Sequence, residues 1–323
     1  MDTVLRPLGW LSSIARLLRN AILYRVLPTT DGVWFVGRGK LFVSDEDNRG
    51  RVLRACGGVS QPIISFSWKK AITIFEPTIV IDIGSNYGEI AFFSRYPKDC
   101  IIYILEANPL LIPYLERSRA THSDGARMHI FRHLVSDDSR AIKFTVDQKW
   151  SGTSSAIGHI GDPNNRFKGE GPESFKEISA TSTTIDDILE GQLDSQLRNL
   201  VFKIDVEGFE GRVLQGMKKT LHRADCFVGI VEFDTEFLAR AGTPAEDVLA
   251  LMSSVGAVAR FKPSGELETI NPLEWVDRAR RQPIHCDLIF TSDQERLSEL
   301  RAPALLRRLS ELRAPALLRR HIR

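Results

Sequence analysis

Apolar residues along this chain repeat with two periods. Ile79-Val-Ile-Asp-Ile83 has the β-branched composition of a buried strand. It stops at Gly84-Ser85-Asn86-Tyr87-Gly88, and a helix-like segment, Glu89 to Arg95, follows. The order then recurs. Cys100–Leu105, Met128–Val135, Leu200–Ile204 and Cys226–Val231 read as further strands, with helices over Phe209–Leu221 and Pro244–Val255. Ala257–Phe261 and Cys286–Thr291 supply the last two strands. Thr243 is expected to cap the helix ahead of Pro244, and Gly256 to close it. Alternation of this kind predicts a mostly parallel α/β sheet over residues 76–292.

The flanks read differently. Leu5, Leu8, Leu11, Ile14, Leu18 and Ile22 lie at helical spacing, interrupted by Arg6, Arg16, Arg19 and Arg25. This segment is too charged to span a bilayer. Packing on the main domain is expected, with peripheral contact to an anionic membrane surface as the alternative. A short hairpin is predicted near Gly32–Phe42, turning at Gly37–Gly39. Residues 1–75 are therefore expected as an extension and 293–323 as a basic tail, in which Leu297–Arg308 recurs unchanged as Leu309–Arg320. Trp150–Lys176, rich in Gly, Ser, Asn and Pro, is long for a loop within a compact domain and suits a lid over an acceptor.

Composition narrows the function classes. The 323 residues carry a formal net charge of +2, too near balance for nucleic acid to be the expected partner. The four cysteines, Cys56, Cys100, Cys226 and Cys286, form no Cys-x-x-Cys pair. They predict reduced thiols in a cytoplasmic protein and no metal finger.

The chemistry gathers at the predicted strand ends, where open α/β sheets bind ligands. Gly84, Ser85, Asn86 and Gly88 form a tight loop in which the backbone approaches a ligand closely. A dinucleotide fingerprint would place glycine two residues before Gly84, and here that residue is Asp82. An acid there repels phosphate and can hold the ammonium end of S-adenosylmethionine, which speaks against a nucleotide-dependent oxidoreductase. Glu106 ends the second strand, where a carboxylate receives ribose hydroxyls. Ser136 and Asp137 follow the third apolar run, in position to receive an adenine amine.

Four blocks, Val80–Gly88, Leu105-Glu-Ala-Asn-Pro109, Thr183-Thr-Ile-Asp-Asp187 and Lys203-Ile-Asp-Val-Glu-Gly-Phe-Glu210, resemble the successive motifs of the FkbM methyltransferases. The similarity runs from about Thr78 to Gly256, more weakly to Phe290, and the Lys203–Glu210 block is its most specific part. Ala107 stands where the family more often has proline. The resemblance implies a class I, S-adenosylmethionine-dependent enzyme that methylates hydroxyls on sugars, polyketides or other natural products. It also implies a Rossmann-like sheet with an antiparallel edge pair and helices on both faces. Candidate bases are then Asp205, Glu207, Glu232 and Asp234, with His159 of the loop as a further candidate. Asp205 is a candidate ligand for Mg²⁺. The alternatives are a non-catalytic S-adenosylmethionine-binding or scaffold protein, or a methyltransferase acting on nitrogen or on a macromolecule.

Overall fold

The computed structural model describes residues 25–158 and 172–301, other than 193 and 263, together with residues 18 and 20–22. Most of the N-terminal amphipathic segment, His159 with much of the expected lid, and the second copy of the tail repeat lie outside the described residues.

Three short antiparallel strands begin the continuous described segment: β1 (Val26–Thr29), β2 (Gly32–Phe35) and β3 (Gly39–Phe42). Helices Asn48–Ala55 and Pro62–Phe75 lead into the central strands β4 (Ile79–Ile83), β5 (Ile101–Leu105) and β6 (Met128–Phe131). Next come β7 (Leu134–Val135), β8 (Ala141–Asp147) and β9 (Phe175–Thr183), which form a separate three-stranded sheet in the order β7-β9-β8. The central sheet is completed by β10 (Asn199–Ile204), β11 (Cys226–Asp234), β12 (Ala257–Phe261), β13 (Leu267–Thr269) and β14 (His285–Thr291). Its order is β13-β12-β14-β11-β10-β4-β5-β6. The strands from β11 to β6 pair in parallel, and β14, β12 and β13 add an antiparallel edge. This is an open Rossmann-like α/β sheet.

Strand periodicity sends alternate side chains to opposite faces, so each face has its own core. Val80, Ile102, Ile104 and Val201 join Trp68, Phe75 and Phe92 on one face. Ile79, Ile81, Ile83, Leu200, Phe202 and Ile204 join Val213, Leu214 and Met217 on the other. Val26, Val33, Phe35, Leu41 and Leu53 belong to the first of these clusters. The division near residue 75 is therefore one of sequence and not of packing. Among the described residues no helix is long and apolar enough to cross a membrane.

Several local expectations are corrected. The apolar run Met128–Val135 is two strands: β6 stays in the central sheet, while β7 leaves it to pair with β9. The helix expected over Phe209–Leu221 is broken into Glu210–Gln215 and Lys218–Arg223. Gly216 lies at the break, where a Cβ would sit 2.1 Å from the Ser136 carbonyl oxygen. Pro244, not Thr243, holds the cap position of the helix Ala245–Val255. β11 extends three residues beyond its expected end, because β14 pairs with it through Glu232↔Asp287 and Asp234↔His285.

Candidate active site

A cleft of about 750 Å³ opens at the carboxyl ends of β4, β5, β10 and β11. Loop 84–88 forms one wall. Gly84, Asn86 and Gly88 have φ of +73°, +52° and +78°, left-handed angles that favour glycine at the two outer positions. A Cβ on Gly84 would also lie 1.8 Å from the Asp205 carbonyl oxygen, so the loop packs directly on the end of β10. The amides of Gly84 and Ser85 donate to the Leu105 carbonyl at 3.0 and 3.1 Å, so they form no phosphate cradle.

Glu106 lines the cleft beside this loop. Its two oxygens accept from the amides of Asn86 at 2.7 Å and Asn108 at 2.8 Å. Burial pushes the carboxyl up to about 7, against the pull of those amides. Asp82 lies deeper, only 1 % exposed, and neither of its oxygens has a partner among the described residues. Burial raises it to about 6, with the Lys203 ammonium working in the opposite direction. The Ser85 hydroxyl is also buried without a partner among the described residues.

The opposite wall is acidic. Lys203, 4 % exposed, donates to Asp205 Oδ2 at 2.7 Å. Burial alone would raise Asp205; the Lys203 charge and hydrogen bond outweigh it and hold the carboxyl below its ordinary value. Glu207 has a φ of +54°, a conformation that the residues around it maintain. Glu210, buried behind it, accepts from the amides of Val206 at 3.0 Å and Gly208 at 3.1 Å. The Ser155 hydroxyl donates to the Glu207 carbonyl at 2.7 Å. The Lys203–Glu210 block thus reads physically: a buried ammonium fixes Asp205, and a buried acid ties the turn that presents Glu207. Burial followed by the Asp205 charge pushes both Glu207 and Glu232 well above the usual carboxylate range. One oxygen from each of Asp205, Glu207 and Glu232 lies within 4.8 Å of the others, and Glu232 Oε2 has no partner among the described residues.

The FkbM methyltransferase domain model matches residues 82–258, more than half of the chain. The chain belongs to the FkbM methyltransferase family. Its fold is accordingly that of the class I methyltransferases. No curated protein matches the chain. Among solved structures, methyltransferase FkbM from Methylobacillus flagellatus KT is similar at 13 % identity and a TM-score of 0.37. That match covers 67 % of this chain and 44 % of the other, so this chain spans less than half of its length. The O-methyltransferase TomG from Streptomyces achromogenes, in complex with SAM, is 8 % identical with a TM-score of 0.37, over 86 % and 95 % of the two chains. A precorrin-6y C5,15-methyltransferase from Geobacter metallireducens GS-15 is 11 % identical with a TM-score of 0.36, over 77 % and 96 %.

Not every candidate residue of this FkbM protein gathers at the cleft. Ser136 and Asp137 follow β7, and because β7 leaves the central sheet neither lines the cleft; His133, Leu134 and Val135 do. The Ser136 hydroxyl donates to Asp137 at 2.9 Å, and Arg212 pairs with Asp137 at 3.2 Å. Asp234 caps the helix Thr235–Arg240, accepting from the amides of Glu236 and Phe237, and meets His285 Nδ1 at 3.0 Å. Thr184 and Asp186 of the Thr183–Asp187 block are likewise structural. Thr184 caps the helix Ile185–Ile188, and Asp186 accepts from the amides of Lys219 and Thr220. His159 lies outside the described residues, though Trp150, Ser151 and Ala156 of the same loop line the cleft.

The structure adds lining residues that motif reading misses. Asp287 and His285 enter from β14, and burial followed by the Asp205 charge pushes Asp287 up to about 6. The available signal was two polar residues opening an otherwise apolar strand. Arg49, Ser60 and Gln61 enter from the N-terminal segment, which carries no motif.

Proposed function

We propose that the protein transfers a methyl group from S-adenosylmethionine to a hydroxyl of a small acceptor, a sugar or a secondary metabolite. One juxtaposition carries the reading: Glu106 and loop 84–88 face Asp205, Glu207 and Glu232 across one cleft. Its size is that of a small-molecule site. S-adenosylmethionine, when bound, supplies an electrophilic methyl on a sulfonium.

Each Glu106 oxygen accepts one amide and keeps capacity for a ribose hydroxyl, since a carboxylate offers about four acceptor sites. The apolar side chains of Leu134, Val135, Phe144 and Phe209 give a wall suited to a flat heterocycle. Asp205, kept ionised by Lys203, takes the acceptor proton during attack. Glu207 and Glu232 orient the remaining hydroxyls, and the cleft walls align the acceptor and limit access of water. The oxygen donor set of Asp205, Glu207 and Glu232 also suits a hard divalent ion. These three residues would hold Mg²⁺, which would lower the acceptor pKa.

Labelled S-adenosylmethionine incubated with the protein and a small-molecule extract tests the reading. Transfer of label to a compound with a free hydroxyl is expected. Binding without transfer to any acceptor would favour the non-catalytic alternative.

A further inference from the structure

Past the acids of β10 and β11 the cleft continues to the antiparallel edge of the sheet, and there its lining changes sign. Arg260 and Lys262, at and just past the end of β12, line it together with His285 at the start of β14. Glu268 of β13 stands opposite Arg260 in the strand register and pairs with both Arg260 and, at 3.4 Å, Lys262. Asp234 meets His285 Nδ1 at 3.0 Å. Neither Glu268 nor Asp234 lines the cleft. The cations therefore belong to the lining and their acidic partners stand behind them.

A cross-strand ion pair accounts for Arg260 and Glu268 alone. One carboxylate serving two cations leaves a surplus of one positive charge at this rim. The guanidinium is held before any ligand arrives: its Nε donates to Glu268, and its Cζ lies 5.5 Å from the centroid of the Trp275 ring. The bond to Glu268 uses one of its five N–H groups. Lys262 is fixed through its backbone, whose amide donates to the Glu266 carbonyl at 2.8 Å. A guanidinium and an ammonium gathered on one carboxylate, with donors to spare, match the several oxygens of a second oxyanion. The rim also lies at a set remove from the reacting acid. β12 is three strands from β10, in the order β12-β14-β11-β10, which puts their backbones about 14 Å apart at the usual strand spacing. The Arg260 and Asp205 side chains extend from the two ends of that span, so a small molecule can touch both.

We propose that the methyl acceptor is an anion, whose carboxylate or phosphate rests on Arg260 and Lys262 while its hydroxyl meets Asp205. The inference rests on the methyl-transfer reading above and narrows its acceptor class. It extends the site to two residues beyond the family-matched segment 82–258. The acceptor oxygen forms the new C–O bond as the C–S bond breaks toward sulfur, its proton passes to Asp205, and the anionic group is unchanged.

Anion exchange tests it. A small-molecule extract is divided into the fraction that an anion-exchange resin retains and the fraction that flows through, and each is incubated with the protein and labelled S-adenosylmethionine. Label is expected in the retained fraction. Equal or greater label in the flow-through overturns the inference and leaves the methyl-transfer reading standing; label in neither fraction ends both. Phosphodiesterase and phosphatase treatment of the labelled product then separates the two anions: loss of retention means a phosphate, and persistence a carboxylate. Arg260→Gln combined with Lys262→Gln is expected to raise KM, measured by dilution of the retained fraction, by about 10-fold or more, the scale of a lost charge-assisted pair. Because neither residue meets the reacting atoms, kcat should stay within about threefold and S-adenosylhomocysteine affinity within about twofold. Lys262→Gln alone removes one cation and leaves the Arg260–Trp275 contact in place, so its KM should fall between. An unchanged KM in both variants, or an equal loss of S-adenosylhomocysteine affinity with an unchanged melting temperature, overturns the rim as the acceptor's seat.

Discussion

The two walls of the cleft bury their acids in different ways. On the β4–β5 side, Glu106 is met by two backbone amides at 2.7 and 2.8 Å. On the β10–β11–β14 side, Asp205, Glu207, Glu232 and Asp287 crowd one another, with Lys203 as the buried ammonium among them. The β11–β14 register places Glu232 directly opposite Asp287, which adds to the burial and the nearer acids that raise Glu232. Amides fix a carboxylate in place and leave it able to receive hydroxyls. Crowded acids instead raise one another, as Glu207 and Glu232 show. The first wall holds its acid with amides; the second sets acid against acid.

The sharpest way to break this contrast is Asp205→Asn, which keeps size and removes charge and basicity. Turnover is expected to fall by about 10²–10⁴-fold, the usual contribution of a general base, with cofactor affinity changing far less. Full activity in this variant would make the acid cluster structural and turn attention to His159. A chelator separates the two roles of Asp205: activity lost and then restored by Mg²⁺ means a metal ligand, and indifference means direct base catalysis.

Glu106→Ala should reverse the pattern. Losing a charged, hydrogen-bonded contact to the ribose costs about 1.5–3 kcal/mol, or one to two decades of S-adenosylhomocysteine affinity by calorimetry. Unchanged affinity in a folded variant removes Glu106 from the site.

Both walls respond to pH over the same range. Asp82 and Asp287 are raised to about 6, Glu106 and Glu210 to about 7. A carboxyl whose folded pKa lies above its unfolded one leaves more protons on the folded state, so stability declines as pH rises through that interval. Melting temperature without ligand should therefore fall between pH 5.5 and 8. His122, lowered by burial, works in the opposite sense, while loss of the His285–Asp234 pair adds to the decline. A ligand bearing positive charge favours the ionised acids. Its binding at pH 7 should release protons, seen as a binding enthalpy that depends on the buffer's ionisation enthalpy. Equal enthalpies in phosphate and Tris would contradict this.

Legibility in the sequence follows the same division. The central strands were readable because burial on both faces demands unbroken apolar runs such as Ile79–Ile83. Asp82, the loop and Glu106 sit at fixed offsets from those runs. β8 and β9 escaped because one of them, Phe175–Thr183, is half exposed and carries mostly polar residues. Asp287 and His285 reach the site through an antiparallel register, and Arg49 through tertiary packing of the N-terminal segment. No local pattern encodes either. Thr243 and Asp234 show the converse: short polar residues at helix starts look alike whether they cap, as Asp234 does, or stand one place too early.

The smallest effect is expected at Asp137. A single strand over Met128–Val135 would put Asp137 at its tip, against adenine, but the run is two strands. With β7 paired to β9 and outside the central sheet, Asp137 pairs with Arg212 on a partly exposed surface. Such pairs contribute about 0–1 kcal/mol. Asp137→Ala should accordingly change S-adenosylhomocysteine affinity by less than about twofold and lower the melting temperature only slightly. A loss approaching that of Glu106→Ala would mean that Asp137 itself reaches the ligand. The acidic wall would then face two ligand-holding carboxylates, Glu106 and Asp137.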